Sequence, residues 1–262
     1  MRPSGNPPER WLAYREVNPR ARMRMFCFPY AGGGASIYRG WGASLPNDLE
    51  VCPVQLPGRE SRLREPAFTS IESMVPAIID ALAPYLNLPF VLFGHSMGAA
   101  ISFTLARELR RRGSPQPLHL FVSGRRAPHL PAREEPIHQL PDAEFMAKLR
   151  ELNGTPEEVL QHEELMKLLL PILRADFGVN EIYEYTEEAP LQAGISAFGG
   201  IGDKDVLRED VEAWRQHTTG RFRARMFPGD HFFIHGNKDL VLESVARDLA
   251  EIAAAAPRSQ TW

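Results

Sequence analysis

Phe90-Val91-Leu92-Phe93-Gly94-His95-Ser96-Met97-Gly98-Ala99-Ala100 is the stretch on which the reading of this chain turns. A short apolar run that stops at a glycine suits a strand buried on both faces. Ala99–Arg112 then places Ile101, Leu105 and Leu109 on one helical stripe, and Gly113 stops it. Between the two lies Gly94-His95-Ser96-Met97-Gly98, a G-x-S-x-G pattern in the strand–turn–helix setting that this motif requires. The turn is too tight for side chains at its flanking positions, so glycine stands there. It lifts Ser96 Oγ clear of the C-terminal end of the strand. The helix start behind it offers unpaired amides and the positive end of a dipole. A nucleophilic serine, with an anion forming beside it, suits that geometry.

Further apolar runs end in turn residues on either side. Met23–Phe28, Leu49–Leu56, Leu118–Val122, Ile195–Phe198 and Phe222–Phe227 read as strands. Ile71–Leu86 reads as a helix, with Thr69-Ser70-Ile71-Glu72 as a capping box before it. Asn237–Ala256 reads as another, with Val241, Val245, Leu249 and Ile252 on one stripe. Strands alternating with helices predict an α/β chain with a mainly parallel central sheet and helices on both faces. With the serine turn, this is the expectation of an α/β-hydrolase fold. Residues 132–193 break the rhythm, carrying helical patterns and no strand. Pro141–Leu152 and Leu165–Phe177 are two of these. Thr155-Pro156-Glu157-Glu158 starts another, with Thr155 as cap and Pro156 at the first helical position. We therefore expect a core of residues 1–131 and 194–262, interrupted by a helical lid over 132–193.

Composition narrows the classes. A chain of 262 residues, 44% hydrophobic and 24% charged, suits one globular domain of this kind. A net charge of −3 speaks against binding nucleic acid by bulk electrostatics. Cys27 and Cys52 are too few for a disulfide framework and too far apart for a metal pair, and Cys27 reads as a packing residue. Met1–Pro8 lacks the apolar core of a secretory signal, and no run is long enough to span a membrane. A cytoplasmic monomer is the expectation. Ala31-Gly32-Gly33-Gly34 has neither a G-K-[ST] ending nor a G-x-G-x-x-G pattern, so no cofactor or metal is expected.

A serine nucleophile needs a base and an orienting acid, in the chain order Ser, Asp or Glu, His. His231 follows the last strand through Pro228-Gly229-Asp230 and precedes the last helix, which makes it the candidate base; His235 is the alternative. Gly199-Gly200-Ile201-Gly202-Asp203-Lys204-Asp205 follows the preceding strand. Asp203 is the favoured acid there and Asp205 the alternative. Asp230 adjoins His231, and sequence neighbours rarely face each other correctly. Two backbone donors are needed for an oxyanion. The Met97 amide is one; Ala31 is the choice for the other, with Gly32 second.

Together the motifs resemble the type II thioesterases that accompany polyketide synthases and nonribosomal peptide synthetases. The matching blocks are Phe28–Gly34, Gln55-Leu56-Pro57-Gly58-Arg59-Glu60, Gly94–Gly98, Gly200–Asp203 and Phe227–Phe233. Asp230 departs from the pattern, where glycine is commoner. The resemblance implies hydrolysis of acyl groups from the phosphopantetheine arm of a carrier protein, which removes stalled or wrong groups. It supports Ser96–Asp203–His231 as a triad, Ala31 and Met97 as oxyanion donors, and a mobile lid. Arg59 belongs to a matching block and is a candidate substrate contact, with local structure the competing role. Phe145, Met146, Leu168, Leu169, Leu170 and Leu173 are candidates to line an acyl channel, or else to pack the lid. Arg125, Arg126, Arg133 and Arg174 are candidates to meet an acidic carrier protein, or else a solvated surface. A carboxylesterase or lipase, an acyltransferase, and a non-enzymatic module on a hydrolase fold are the competing functions. Fold alone does not decide among them.

Overall fold

The computed structural model describes residues 9–255 except 134, 153 and 155. The expectations on residues 1–8, Thr155 and Ala256 lie outside the described residues. Six strands form one sheet: β1 (Met23–Phe28), β2 (Leu49–Pro53), β3 (Phe90–His95), β4 (His119–Ser123), β5 (Gly194–Gly200) and β6 (Phe222–Phe227). Their order is β2-β1-β3-β4-β5-β6, and every neighbouring pair is parallel. The parallel sheet and its covering helices are those of the α/β-hydrolase fold.

Alternation along each strand builds two cores. Phe26 and Phe28, Phe90 and Leu92, and Leu120 and Val122 point to one face. Met25 and Cys27, Val91 and Phe93, and Phe121 point to the other. The first face is covered by α1 (Ile71–Leu82) and α2 (Met97–Arg111), through residues such as Met74, Ile78, Ile101 and Leu105. The second is covered largely by the C-terminal helix, which contributes Val241, Val245 and Leu249, with Tyr38 and Trp41 beside them. Burial on both faces explains why the strands read as apolar runs rather than alternating ones.

Several boundaries differ from expectation. β2 stops at Pro53 because Gln55 turns away: its amide donates to Trp11 O at 2.8 Å, and its side chain serves Ala35 and Arg59. α1 stops at Leu82, and Ala83–Tyr85 continues as 3-10 helix across Pro84, which lacks an amide hydrogen. The cap of α1 is Ser70, whose Oγ accepts from Ser73 N at 3.3 Å; the box from Thr69 does not form.

Between β4 and β5 the described residues hold helices and no named strand: α3 (Asp142–Leu152), α4 (Glu157–Leu160) and α5 (Glu163–Glu181). Pro156 caps α4 rather than opening it. Phe145, Leu149, Leu160, Met166 and Leu173 form a small core of their own here. α6 (Arg208–Glu212), α7 (Phe233–Gly236) and α8 (Lys238–Ala255) complete the order. Among the described residues no helix is long and apolar enough to cross a membrane.

Candidate active site

Ser96 sits between β3 and α2 with φ 54° and ψ −112°, a left-handed conformation that side chains avoid. The flanking glycines are required by contact. A Cβ at Gly94 would run into the Gly98 carbonyl, and one at Gly98 into the Phe28 carbonyl. The Ser96 amide donates to Ser123 O at 2.7 Å, which ties the turn to the end of β4.

The loops after β5 and β6, neighbouring strands, bring the next two residues together. His231 Nδ1 lies 2.7 Å from Asp203 Oδ2. Asp203 is buried, and its Oδ1 accepts from the amides of Asp205 (3.0 Å) and Val206 (3.2 Å). With both amides on Oδ1, Oδ2 is left to face His231 Nδ1, a pairing in which an ionised carboxylate accepts and the ring N–H donates. Asp205 is exposed and contributes only a backbone amide to this network. Asp230, also exposed, accepts from its own neighbour Phe232 N. His235 Nε2 instead meets Tyr30 Oη at 3.0 Å, and burial lowers its pKa.

Ser96 and His231 line one cavity of about 150 Å³, with Tyr30, Ala31, Leu149, Leu152, Gly154, Leu173, Phe177, Asn180 and Phe232. Ala31 is therefore on the wall beside the serine. Gly32, the second choice for an oxyanion donor, gives its amide to Asp176 Oδ2 at 2.7 Å, and Gly33 gives its own to Tyr30 O. Met97 is the first residue of α2, so its amide has no acceptor within the helix. His95, between Gly94 and Ser96, is fully buried with Nδ1 2.9 Å from Ser123 Oγ. Burial, and then the nearby His231 and His235, push its pKa well down, so it stays neutral beside the site.

The structure separates the expected substrate contacts. Leu173 reaches the cavity. Phe145 is fully buried against Phe177, and Met146, Leu169 and Leu170 pack on the same small helical core. Leu168 is exposed. Arg59 is buried away from the cavity in a bidentate ion pair with Asp176, and also donates to Gly33 O at 3.2 Å. The other arginines are engaged within the chain. Arg126 and Arg133 meet Asp210, Arg174 meets Asp142 and His138 O, and Arg125 donates to Asn180. Asp176 and Asn180 went unnoticed in the sequence. The signal for Asp176 was a carboxylate on the apolar stripe of α5, in step with Ile172, Leu173 and Val179. Among the described residues no three His, Cys, Asp or Glu side chains are grouped to hold a metal ion.

Relatives share this architecture. The protein named linear gramicidin dehydrogenase LgrE, from Brevibacillus parabrevis, is 49% identical over 92% of this chain and 93% of its own. Here β1 leads through Pro29 and Tyr30 into a 3-10 helix, Ala35–Tyr38, rather than into a dinucleotide-binding turn and crossover helix. The RedJ thioesterase from the prodiginine pathway of Streptomyces coelicolor is 42% identical, with a TM-score of 0.80 over 87% of this chain and 85% of that one. BorB, described as a type II thioesterase from the borrelidin biosynthetic cluster, is 36% identical, with a TM-score of 0.82 over 91% and 97%. The thioesterase domain model matches residues 23–252, and the chain belongs to that family.

Proposed function

We propose that this chain is a type II, editing thioesterase. It hydrolyses acyl groups from the phosphopantetheine thiol of a carrier protein and so clears stalled or wrong chains in polyketide or nonribosomal peptide assembly. The single observation that carries the reading is the His231–Asp203 bond beside a cavity that Ser96 also lines. Family membership, and relatives named for gramicidin, prodiginine and borrelidin pathways, supply the carrier-bound substrate.

In this reading His231 Nε2 takes the Ser96 proton as Oγ attacks the thioester carbonyl. Asp203 holds the tautomer and stabilises the imidazolium. The oxygen that gains charge lies between the Ala31 and Met97 amides. The C–S bond then breaks. A thiol of pKa about 8.5 leaves readily, taking the proton from His231 as required. Water, deprotonated by His231, attacks the acyl-enzyme and restores Ser96. Residues 132–193 act as the lid: Leu149, Leu152, Leu173 and Phe177 give the cavity its apolar wall for the acyl chain. The protein acts as a monomer.

An esterase or acyltransferase would share the triad, so the test compares substrates. Acyl release from a loaded carrier protein is measured beside the matching nitrophenyl ester, with Ser96→Ala as control. Ser96-dependent release from the carrier, with weak ester turnover, is the expected result. Ester turnover without release from the carrier would overturn it, as would transfer to an added alcohol or amine in preference to water.

A further inference from the structure

The acyl cavity has one side-chain amide in an otherwise apolar lid wall. Asn180 lies in the last turn of α5, on the stripe of Leu173 and Phe177 that faces Ser96. Its Oδ1 accepts from Arg125 Nη1. A guanidinium only donates, so this bond settles the orientation of the amide. The Asn180 NH2 is left as the group that can serve the cavity. Arg125 itself is anchored. It follows the end of β4, where Ser123 O holds the Ser96 amide, and Trp214 Nε1 donates to Arg125 O at 2.8 Å. Its guanidinium lies 5.8 Å from the centre of the Tyr183 ring. Among the described residues it pairs with no carboxylate, and burial lowers its pKa to about 10, still charged at neutral pH. A charge drawing on Oδ1 strengthens the amide's own N–H donors.

We propose that Asn180 determines substrate class: the cavity prefers an acyl chain bearing an oxygen acceptor, such as a 3-oxo group, over a plain hydrocarbon chain of equal length. This rests on the thioesterase reading. Asn180 Nδ2 donates to that oxygen while the lid leucines cover the carbons. A plain chain leaves the amide desolvated and unpaired, which is what discriminates against it.

The test measures kcat/KM for 3-oxoacyl and saturated acyl thioesters of N-acetylcysteamine, matched in length. Wild type is expected to favour the oxygenated chain by about tenfold, the worth of one neutral hydrogen bond. Asn180→Leu brings the ratio towards one. Asn180→Asp separates recognition from scaffolding. Its carboxylate keeps and strengthens the bond to Arg125 yet donates nothing, so the ratio falls while the thermal midpoint holds or rises. Equal losses on both thioesters in these variants, or no preference in wild type, overturn the inference and leave the thioesterase reading standing. Failure to hydrolyse either thioester, together with no acyl release from a loaded carrier protein, overturns both.

Discussion

Arg59 and Asp176 form a buried bidentate ion pair, at 2.6 and 2.8 Å, between the Leu56-Pro57-Gly58-Arg59 block and the helix that covers the cavity. The pair also grips the loop that carries Ala31. Asp176 takes the Gly32 amide and Arg59 donates to Gly33 O. Removing one member leaves the other charge buried without its partner. Asp176→Leu or Arg59→Met alone is expected to cost about 3–5 kcal/mol in urea unfolding. The double variant should cost clearly less than either single one, because no charge is then stranded. Additive losses would show that the two side chains stabilise the fold independently.

Ser96 carries backbone strain that glycine would relieve. At φ 54° and ψ −112° a side chain costs on the order of 1–3 kcal/mol. Both Ser96→Ala and Ser96→Gly remove the nucleophile. The glycine variant is expected to be the more stable of the two by about 1 kcal/mol, against the usual advantage of alanine. Comparing their denaturant midpoints checks this. A more stable alanine variant would mean that the turn is not strained.

Much of the sheet was legible because both faces of each strand are buried, so apolar runs such as Phe90–Phe93 stood out from the turns around them. The serine turn was legible because Gly94 and Gly98 have no room for a Cβ. What stayed hidden depended on long-range contacts. Arg59 looked the same in sequence whether it faced substrate, solvent or a buried carboxylate. Its partner, Asp176, lies 117 residues away. Phe145 and Leu173 are both apolar and share the small core formed by the helices between β4 and β5, yet Leu173 also lines the cavity and Phe145 does not. Periodicity alone marks an apolar face without saying what covers it. Asn180 gave no signal at all, since only the fold brings it to Arg125.

Besides His95, two buried histidines should make the fold acid-sensitive. His119, 2.9 Å from Ser196 Oγ, and His217, 2.8 Å from His129, are each pushed down to about 4, chiefly by burial. In the unfolded chain each titrates near 6.5. Between these values the unfolded state binds more protons, so stability is full above about pH 6.5 and falls as pH drops towards 4. Each group contributes at most about 3 kcal/mol across that window. Below pH 4 a second loss follows. Arginine hydrogen bonds outweigh burial at Asp248 and Glu188 and hold both near 2, and those carboxylates then protonate. Urea midpoints at pH 7 and pH 5 check the first window. His217→Phe, in its cluster of Phe103, Trp214 and Tyr185, should flatten it. An unchanged pH slope in that variant would show that His217 does not carry the effect.

Asp203 and Asp205 stand two residues apart and should differ sharply in their effect on rate. Asp203 is buried and bonded to His231 at 2.7 Å, while Asp205 is exposed and offers only its amide. An amide at 203 can donate to His231 Nδ1, which would force the proton onto Nε2 and remove the base. Asp203→Asn is therefore expected to lower kcat by about 10,000-fold, with KM little changed. Asp205→Asn keeps the backbone amide that the network uses, and should stay within about twofold of wild type, as surface changes away from the chemistry do. Steady-state kinetics on one thioester decides between them. A large loss at Asp205 with a small one at Asp203 would mean that the loop rearranges when substrate binds and that the acid is Asp205.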